Sequence, residues 1–288
     1  MSRPFITLTS DFGSRDGYAA AMKGVILGIN PEALLVDISH EIPAQDIPHA
    51  AFVLGTTCRY FPPQTIHVVV VDPGVGTARR PLLLITPGGT YFAPDNGLLT
   101  YILMEYGIAA TPDGTGKKAA ADFMKPVSAP VPRGCTAFTL NRGEYQLKPV
   151  SDTFHGRDVF APAAAHLSKG VPPEALGEPV DQVVCLGIPQ PIERQRVVQG
   201  RIIYVDRFGN LISNIGRSCV TEGSATVEIE DSRIQGLSRS YSGEGLVALI
   251  GSHGYLEVAI GRGSAAQRLG ATVGTRLTVS YGDGLTRP

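Results

Sequence analysis

Asp72 and Arg79 bracket a glycine turn directly after a run of β-branched residues. Gly74 and Gly76 are reminiscent of a dinucleotide-binding loop, but Arg79 stands where that motif has its third glycine. The apolar residues after Pro81 are typical of a strand rather than of the helix that would hold a pyrophosphate. Two interpretations remain open: an ion pair that pins the loop, or catalytic groups at the carboxyl end of a strand.

Two further polar segments in the N-terminal half carry titratable side chains. His155 lies beside Gly156, which permits close approach of a ligand to the backbone, although a single histidine at a helix start also fits a structural role. Asp11 follows the first predicted strand and is suited to hold two ribose hydroxyls or to bind a metal ion. Asp16, five residues later, is expected to cap the next helix.

The C-terminal half contains two polar loops between predicted strands. One spans Asp206–Asn210 and the other Gly251–Tyr255. Each contains glycine and an aromatic residue, so each fits either an ordinary turn or a binding loop.

The elements around these segments predict two domains. Strands alternate with helices over the first hundred residues, as in a doubly wound α/β domain, and Ile66–Val71 reads as a strand covered on both faces. We assign residues 1–171 to this domain, with 112–149 as a long surface excursion. A proline-rich linker, 172–192, leads to short alternating runs in 193–288 that indicate a smaller all-β barrel or sandwich.

Composition narrows the functional classes. A hydrophobic share of 43% fits a globular protein, and a formal net charge of −1 without basic runs argues against nucleic-acid or membrane partners. The four cysteines form no C-x-x-C pair, and no cationic leader followed by an apolar stretch is visible at the N-terminus. We therefore expect a cytoplasmic protein with reduced thiols.

Taken together, these segments resemble the S-adenosylmethionine hydrolase family, the hydroxide adenosyltransferases related to the halide-using fluorinase and chlorinase. The matching stretches follow the family order and span nearly the whole chain: Thr9–Gly13, Val71–Thr77 with Arg79, Ala93–Gly97, Phe154–Asp158 with Ala161 and Pro162, Asp206–Asn210 and Ser252–Tyr255. The excursion at 112–149 is longer than we expect for the family.

The resemblance implies an enzyme that hydrolyses S-adenosylmethionine to adenosine and methionine. Asp72, Arg79 and His155 resemble the family's catalytic triad, and Asp11 resembles its ribose ligand. The halide-using relatives lack this triad, so its presence favours water as the nucleophile. In this scheme Arg79 stabilises hydroxide, while His155 and Asp72 remove the proton, and neither a metal nor another cofactor is required.

The resemblance also implies a second set of residues, in the C-terminal half. Asn210 and Phe208 resemble contacts to the adenine side, Asp206 and Ser252 resemble groups that hold the methionine end, and Tyr241 is a candidate to pack on the adenine. The family forms homotrimers whose active sites lie between one subunit's N-terminal domain and a neighbour's C-terminal domain.

Two other functions are also compatible with the sequence. A metal-dependent nucleoside hydrolase would use Asp11 and Asp16 as calcium ligands. A non-catalytic adenosine-binding protein would use the same pocket without turnover. Neither alternative requires Arg79 to lie near His155.

Overall fold

The computed structural model describes residues 3–108, 123–221, 225–242 and 244–281, and the chain divides into two compact units. The first unit comprises 3–108 and 125–186. The second comprises 123–124 and the described residues from 187 onward. No helix in the described ranges is long and apolar enough to cross a bilayer.

The first unit is built on a mixed seven-stranded sheet in the order β2-β1-β3-β5-β4-β7-β8, with a separate two-stranded pair, β6-β9. Its strands are β1 Phe5–Ser10, β2 Leu34–Ser39, β3 Ile66–Val70, β4 Pro81–Thr86, β5 Gly89–Pro94, β6 Pro126–Pro130, β7 Thr136–Thr139, β8 Glu178–Val180 and β9 Gln182–Leu186. The first four strands in the sheet order pair in parallel, and the remaining pairs are antiparallel.

Five helices belong to this unit: α1 Tyr18–Ile29, α2 Ile47–Thr57, α3 Thr100–Glu105, α4 Ala161–Ser168 and α5 Pro173–Leu176. They cover both faces of the sheet. Val68 and Val70 of β3 pack into one buried cluster and Val69 and Val71 into another, so the predicted burial of this run on both faces is confirmed.

The chain order reverses between β1 and β3, which creates the position where α/β sheets bind ligands. These two strands pair in parallel, and Ser10 lies opposite Val70. The loops that begin at Asp11 and Val71 therefore leave the sheet side by side. Backbone topology alone thus places Asp11 near Asp72.

Two expectations about the segments that follow are wrong for the residues described. Residues 112–122 of the predicted excursion lie outside the described ranges, but 126–139 contribute β6 and β7 instead of a surface loop. Ala137 and Phe138 are buried in β7, between β4 and β8. The predicted linker 172–192 likewise contains α5, β8 and β9, because its apolar residues pack against the first unit.

The second unit is an antiparallel, nearly closed barrel sheet in the order β14-β13-β17-β11-β12-β16-β15, with β10 paired to β11. Its elements are β10 Ile192–Arg194, β11 Val197–Val205, β12 Leu211–Gly216, β13 Ala225–Ile229, β14 Ser232–Gln235, β15 Leu246–Ile250, β16 Tyr255–Ile260, helix α6 Ala265–Leu269 and β17 Arg276–Tyr281. The predicted fold class, an α/β domain followed by a smaller β domain, is confirmed.

Candidate active site

The loop between β3 and β4 returns Arg79 to Asp72. Hydrogen bonds from the backbone N–H and the hydroxyl of Thr77 to the carbonyl of Gly74, at 3.1 and 2.7 Å, close the turn. Gly76 has a φ of +74°, and a Cβ there would lie 2.4 Å from the carbonyl oxygen of Asp152. Only glycine fits this position, since both the backbone conformation and the space exclude a side chain.

Asp72, Arg79 and His155 form one contact cluster. Arg79 Nε donates to Asp72 Oδ1 at 2.9 Å, and Nη2 contacts both Asp72 Oδ2 and His155 Nδ1, the latter at 2.8 Å. The Asp72 and Arg79 side chains are 5% and 10% exposed. The predicted proximity of Arg79 to His155 is thus present in the structure, and it is the feature that the two alternative functions do not require.

The contacts determine the protonation state of His155. A guanidinium group only donates, so Nδ1 must accept, and the neutral ring carries its proton on Nε2. Burial, and then the positive charge of Arg79, lower the pKa of His155 below its usual 6.5, against the opposing effect of Asp72. Both Asp72 oxygens also accept from Arg79. The arrangement therefore favours stabilisation of an anion over the proton relay expected from the sequence.

One hydrogen-bond donor of the cluster has no acceptor among the described residues. Arg79 Nη1 is buried and has no hydrogen-bond partner among the described residues. A buried unpaired donor costs free energy, on the order of 1–3 kcal/mol, unless a ligand or water accepts from it. Arg79 does not line the cavity, whereas Asp72 and His155 do. A buried positive charge held against His155 Nδ1 is nevertheless suited to stabilise an anion near the histidine.

His155 is oriented by the turn that follows it. It precedes a π-helical turn, Gly156–Phe160, a rare geometry that is frequent at functional sites. A Cβ on Gly156 would lie 3.1 Å from Met22 Sδ and 3.3 Å from Val70, so glycine lets this turn approach β3 closely. Asp158, 1% exposed, fixes the turn by accepting from the Ser151 backbone and from Arg157.

Asp11, Asp72 and His155 line one cavity of about 300 Å³. Three aromatic rings line it as well. The rings of Phe12 and Tyr18 lie 5.5 and 5.3 Å from the ring of Phe154, both nearly edge to face.

The sequence reasoning did not assign Tyr18 or Gln45 to the site. Gln45 lines the same cavity, and its backbone N–H donates to Asp11 Oδ2 at 2.8 Å. Its φ of +64° is uncommon for a residue with a side chain, and no sequence pattern signals it. Tyr18 opens α1 after a glycine-rich loop, which was a usable signal.

Asp16 does not behave as expected. The N-cap of α1 is Gly17, which offers no side-chain cap, and Asp16 is exposed. Asp11 and Asp16 also do not belong to a metal-binding constellation, because no group of three or more His, Cys, Asp or Glu side chains in the described ranges is arranged to hold a metal ion.

In the second unit, the Asp206 carboxylate is used largely within its own loop. Oδ1 accepts from the backbone of Phe208 and Asn210, and Oδ2 accepts from the Asn210 side chain, all at 2.9 Å. Gly209 has a φ of +81°, and a Cβ there would collide with Ser264. This rigid turn leaves the Phe208 ring 76% exposed.

Tyr241 lies in the same neighbourhood. Partial burial raises its pKa to about 12, together with a hydrogen bond to Glu257 and the charges of Glu257 and Asp206. Glu257 is 2% exposed and bonds His253 Nε2 at 3.0 Å. Ser252 lies in the adjoining β15–β16 loop. Glu257 was missed in the sequence, where its only signal is a charge inside an apolar strand.

The comparisons with known proteins cover both halves of the chain. The model for the SAM hydroxide adenosyltransferase N-terminal domain matches residues 6–177, and the model for the C-terminal domain of the same family matches 200–278. A protein from Thermus thermophilus named (R)-S-adenosyl-L-methionine hydrolase is 38% identical, over 92% of this chain and 95% of the relative.

Two further relatives and one solved structure are also similar to this chain. A protein of the same name from Methanocaldococcus jannaschii is 35% identical over 88% of this chain and 87% of its own, whereas a fluorinase from an Actinoplanes species is 28% identical over 75% and 72%. The crystal structure of a conserved protein from Thermotoga maritima superposes with a TM-score of 0.80 at 30% identity, covering 96% of this chain and 99% of that one. This chain therefore belongs to the SAM hydroxide adenosyltransferase family.

Proposed function

We propose that this protein hydrolyses S-adenosylmethionine to adenosine and methionine through attack of hydroxide on the ribose C5′. The observation that carries the proposal is the contact cluster of Asp72, Arg79 and His155, in which Arg79 holds the histidine in its Nε2–H form and its Nη1 has no hydrogen-bond partner among the described residues. The relatives named (R)-S-adenosyl-L-methionine hydrolase support the same reaction.

The chemical difficulty is the nucleophile, because water has a pKa of about 15.7 and hydroxide is scarce at neutral pH. In our proposal water loses its proton to solvent, and the hydroxide accepts hydrogen bonds from Arg79 Nη1 and His155 Nε2. A preorganised charge of this kind typically contributes roughly 3 kcal/mol to transition-state stabilisation. Asp72 acts through Arg79, since its two oxygens hold the guanidinium in place.

The nucleophilic displacement at C5′ needs little further catalysis, because the leaving group is a neutral thioether. The hydroxide oxygen forms a bond to C5′ as the C5′–S bond breaks, and the bonding electrons remain on sulfur, which becomes the neutral thioether of methionine. Asp11, with one oxygen held by Gln45, is assigned to the ribose hydroxyls. Fixing the nucleophile in line with the C5′–S bond can lower the barrier by roughly 7 kcal/mol or more.

We assign the remaining contacts to the second unit: Asn210 and Phe208 to the adenine side, Tyr241 to the adenine face, and Asp206 and Ser252 to the methionine end. The exposed rings of Phe208 and Tyr241 support this assignment, because bases stack readily on aromatic faces. Following the family resemblance, we propose a homotrimer in which these residues serve a neighbouring subunit's catalytic cluster. A stable, fully active monomer in light scattering would reject that assembly.

We further propose that the protein is cytoplasmic and needs no metal or other cofactor. The four cysteines are all free, which agrees with a reducing compartment. Retention of full activity in excess chelator is the expected result, whereas loss of activity and its restoration by calcium would favour a metal-dependent enzyme.

The test of function follows S-adenosylmethionine and its products by chromatography and mass spectrometry, in water enriched in heavy oxygen. Attack at C5′ by solvent predicts adenosine that carries one heavy oxygen, and unlabelled methionine. Release of free adenine would instead indicate a nucleoside hydrolase. Tight binding of adenosine with no product above the enzyme-free control would indicate a binding protein. Chloride is not expected to yield a 5′-chloro product at a comparable rate.

A further inference from the structure

A largely buried histidine side chain outside the proposed catalytic cluster contacts the residue just before Asp11. His40 Nδ1 lies 2.7 Å from the hydroxyl of Ser10, the last residue of β1. The His40 side chain is 10% exposed, and Ser10 is 1% exposed. His40 itself directly follows β2, so this contact joins the ends of two adjacent parallel strands.

This contact is one of three hydrogen bonds that connect the loop after β2 to the loop after β1. The backbone N–H of Gly13 donates to the His40 carbonyl at 2.7 Å, and the Gln45 N–H donates to Asp11 at 2.8 Å. Residues 40–45 thus hold residues 10–13 at three points, on both sides of Asp11. The Ser10–His40 bond is the only one of the three that joins two side chains.

The Ser10, His40 and Asp37 side chains lie in the order of a Ser-His-Asp triad, since Asp37 Oδ1 is 3.2 Å from His40 Nε2. Ser10 is nevertheless no nucleophile. It is buried, it does not line the cavity, and its Oγ accepts the Phe12 N–H at 3.4 Å. Lys23 pairs with the other oxygen of Asp37, at 2.5 Å, and completes a chain of contacts that ends at the surface.

We propose that His40 is a positioning residue for substrate binding: it fixes the carboxylate of Asp11 through Ser10. The proposal rests on the proposed function, in which Asp11 holds the ribose. A displacement of the order of 1 Å weakens a two-point hydrogen bond to a diol, and so raises the dissociation constant of the substrate more than it lowers turnover.

The test compares His40→Leu with His40→Asn, whose amide can replace Nδ1 as a partner for Ser10. The expected result is a rise of about tenfold in the KM for S-adenosylmethionine in His40→Leu, with kcat within about threefold of wild type. His40→Asn should stay within about threefold in both. Ser10→Ala should resemble His40→Leu and serves as the second variant if the leucine variant does not fold.

A matched control lies in the same strand. Thr7 of β1 bonds the buried His67 with the same pair of atom types, at 2.8 Å, and neither residue lines the cavity. His67→Leu should therefore lower the melting temperature without changing KM. If His67→Leu and His40→Leu raise KM alike, the effect is general destabilisation and the proposal fails.

Coupling to Asp11 supplies the second decisive readout. If His40 acts through Asp11, His40→Leu added to Asp11→Ala should raise KM no further, whereas an independent effect would multiply. Calorimetric binding of adenosine to all variants keeps the two proposals apart. A wild type that does not hydrolyse S-adenosylmethionine overturns the proposed function, whereas adenosine binding unchanged by His40→Leu overturns this one.

Discussion

The candidate residues of the two units are held in opposite ways. In the first unit, Asp72 and Arg79 are almost fully buried and bond each other, and Arg79 also bonds His155. In the second unit, Phe208 and Tyr241 are 76% and 47% exposed, although the loop that carries Phe208 is rigidly closed on Asp206.

This difference in exposure matches the roles that we propose: catalysis in the first unit and substrate binding in the second. Charged groups that stabilise hydroxide have to be desolvated and fixed before the substrate arrives, because reorganisation during the reaction would cost part of the barrier reduction. Aromatic rings that stack on a base need only be presented at a surface. We therefore expect substitutions in the first unit to lower turnover and substitutions in the second to weaken binding.

Arg79→Ala should have the largest effect. It removes the charge that stabilises hydroxide but leaves the ribose and adenine contacts, so kcat should fall about a hundredfold or more while the dissociation constant changes little. Single-turnover kinetics and calorimetry measure the two quantities. Arg80→Ala is the matched control, because Arg80 pairs with the buried Asp95 rather than with Asp72 or His155. If both variants retain wild-type turnover, the Asp72–Arg79 pair only pins a loop.

The placement of Asp72 and Asp11 could be predicted from the sequence, whereas the contact between Arg79 and His155 could not be predicted from local pattern. A continuous β-branched run predicts a strand buried on both faces, and the residue after such a strand reaches the ligand edge of the sheet. Asp72 and Asp11 follow from that rule. The contact of Arg79 with His155 joins residues 76 positions apart, and it was available only from the family resemblance.

Three further features of the structure have no local sequence pattern that would predict them. The strand β7 has only four residues, and its place between β4 and β8 depends on pairing that local periodicity does not encode. Glu257 is a carboxylate inside an apolar strand, where alternation alone does not tell which face is covered. The contact between Ser10 and His40 depends on the parallel alignment of β1 with β2, which is a tertiary property.

Phe208→Ala should have an intermediate effect, confined to binding. Loss of a stacking ring costs about 1–3 kcal/mol per base, so the KM for S-adenosylmethionine should rise at least about fivefold with kcat at saturation unchanged. The ring is exposed, so thermal stability should not fall. Tyr60→Ala provides the control, since Tyr60 is 73% exposed in the first unit. A fall in kcat in the Phe208 variant would contradict the proposal that the second unit contributes to binding and not to turnover.

The last prediction concerns acid stability, an effect that is absent at neutral pH and so does not alter the proposed activity there. Burial lowers the pKa values of four histidines, His49, His67, His155 and His166, and all four lie in the first unit. His67 shows the largest change, to about 4 from a usual 6.5. Between those two values the unfolded chain binds a proton that the folded chain does not, so stability rises with pH across this window and is constant above it.

His67 alone should therefore cost the first unit roughly 2 kcal/mol when the pH falls from 7 to 5. Urea unfolding at the two pH values measures the difference in the free energy of unfolding. His67→Leu should reduce that difference by about the same amount, whatever it costs at neutral pH, and His155→Asn should reduce it less. Hydrogen exchange, corrected for its intrinsic pH dependence, locates the loss. Equal loss of protection in both units would contradict the assignment of acid sensitivity to the first, because the lowered pKa values would then not be its source.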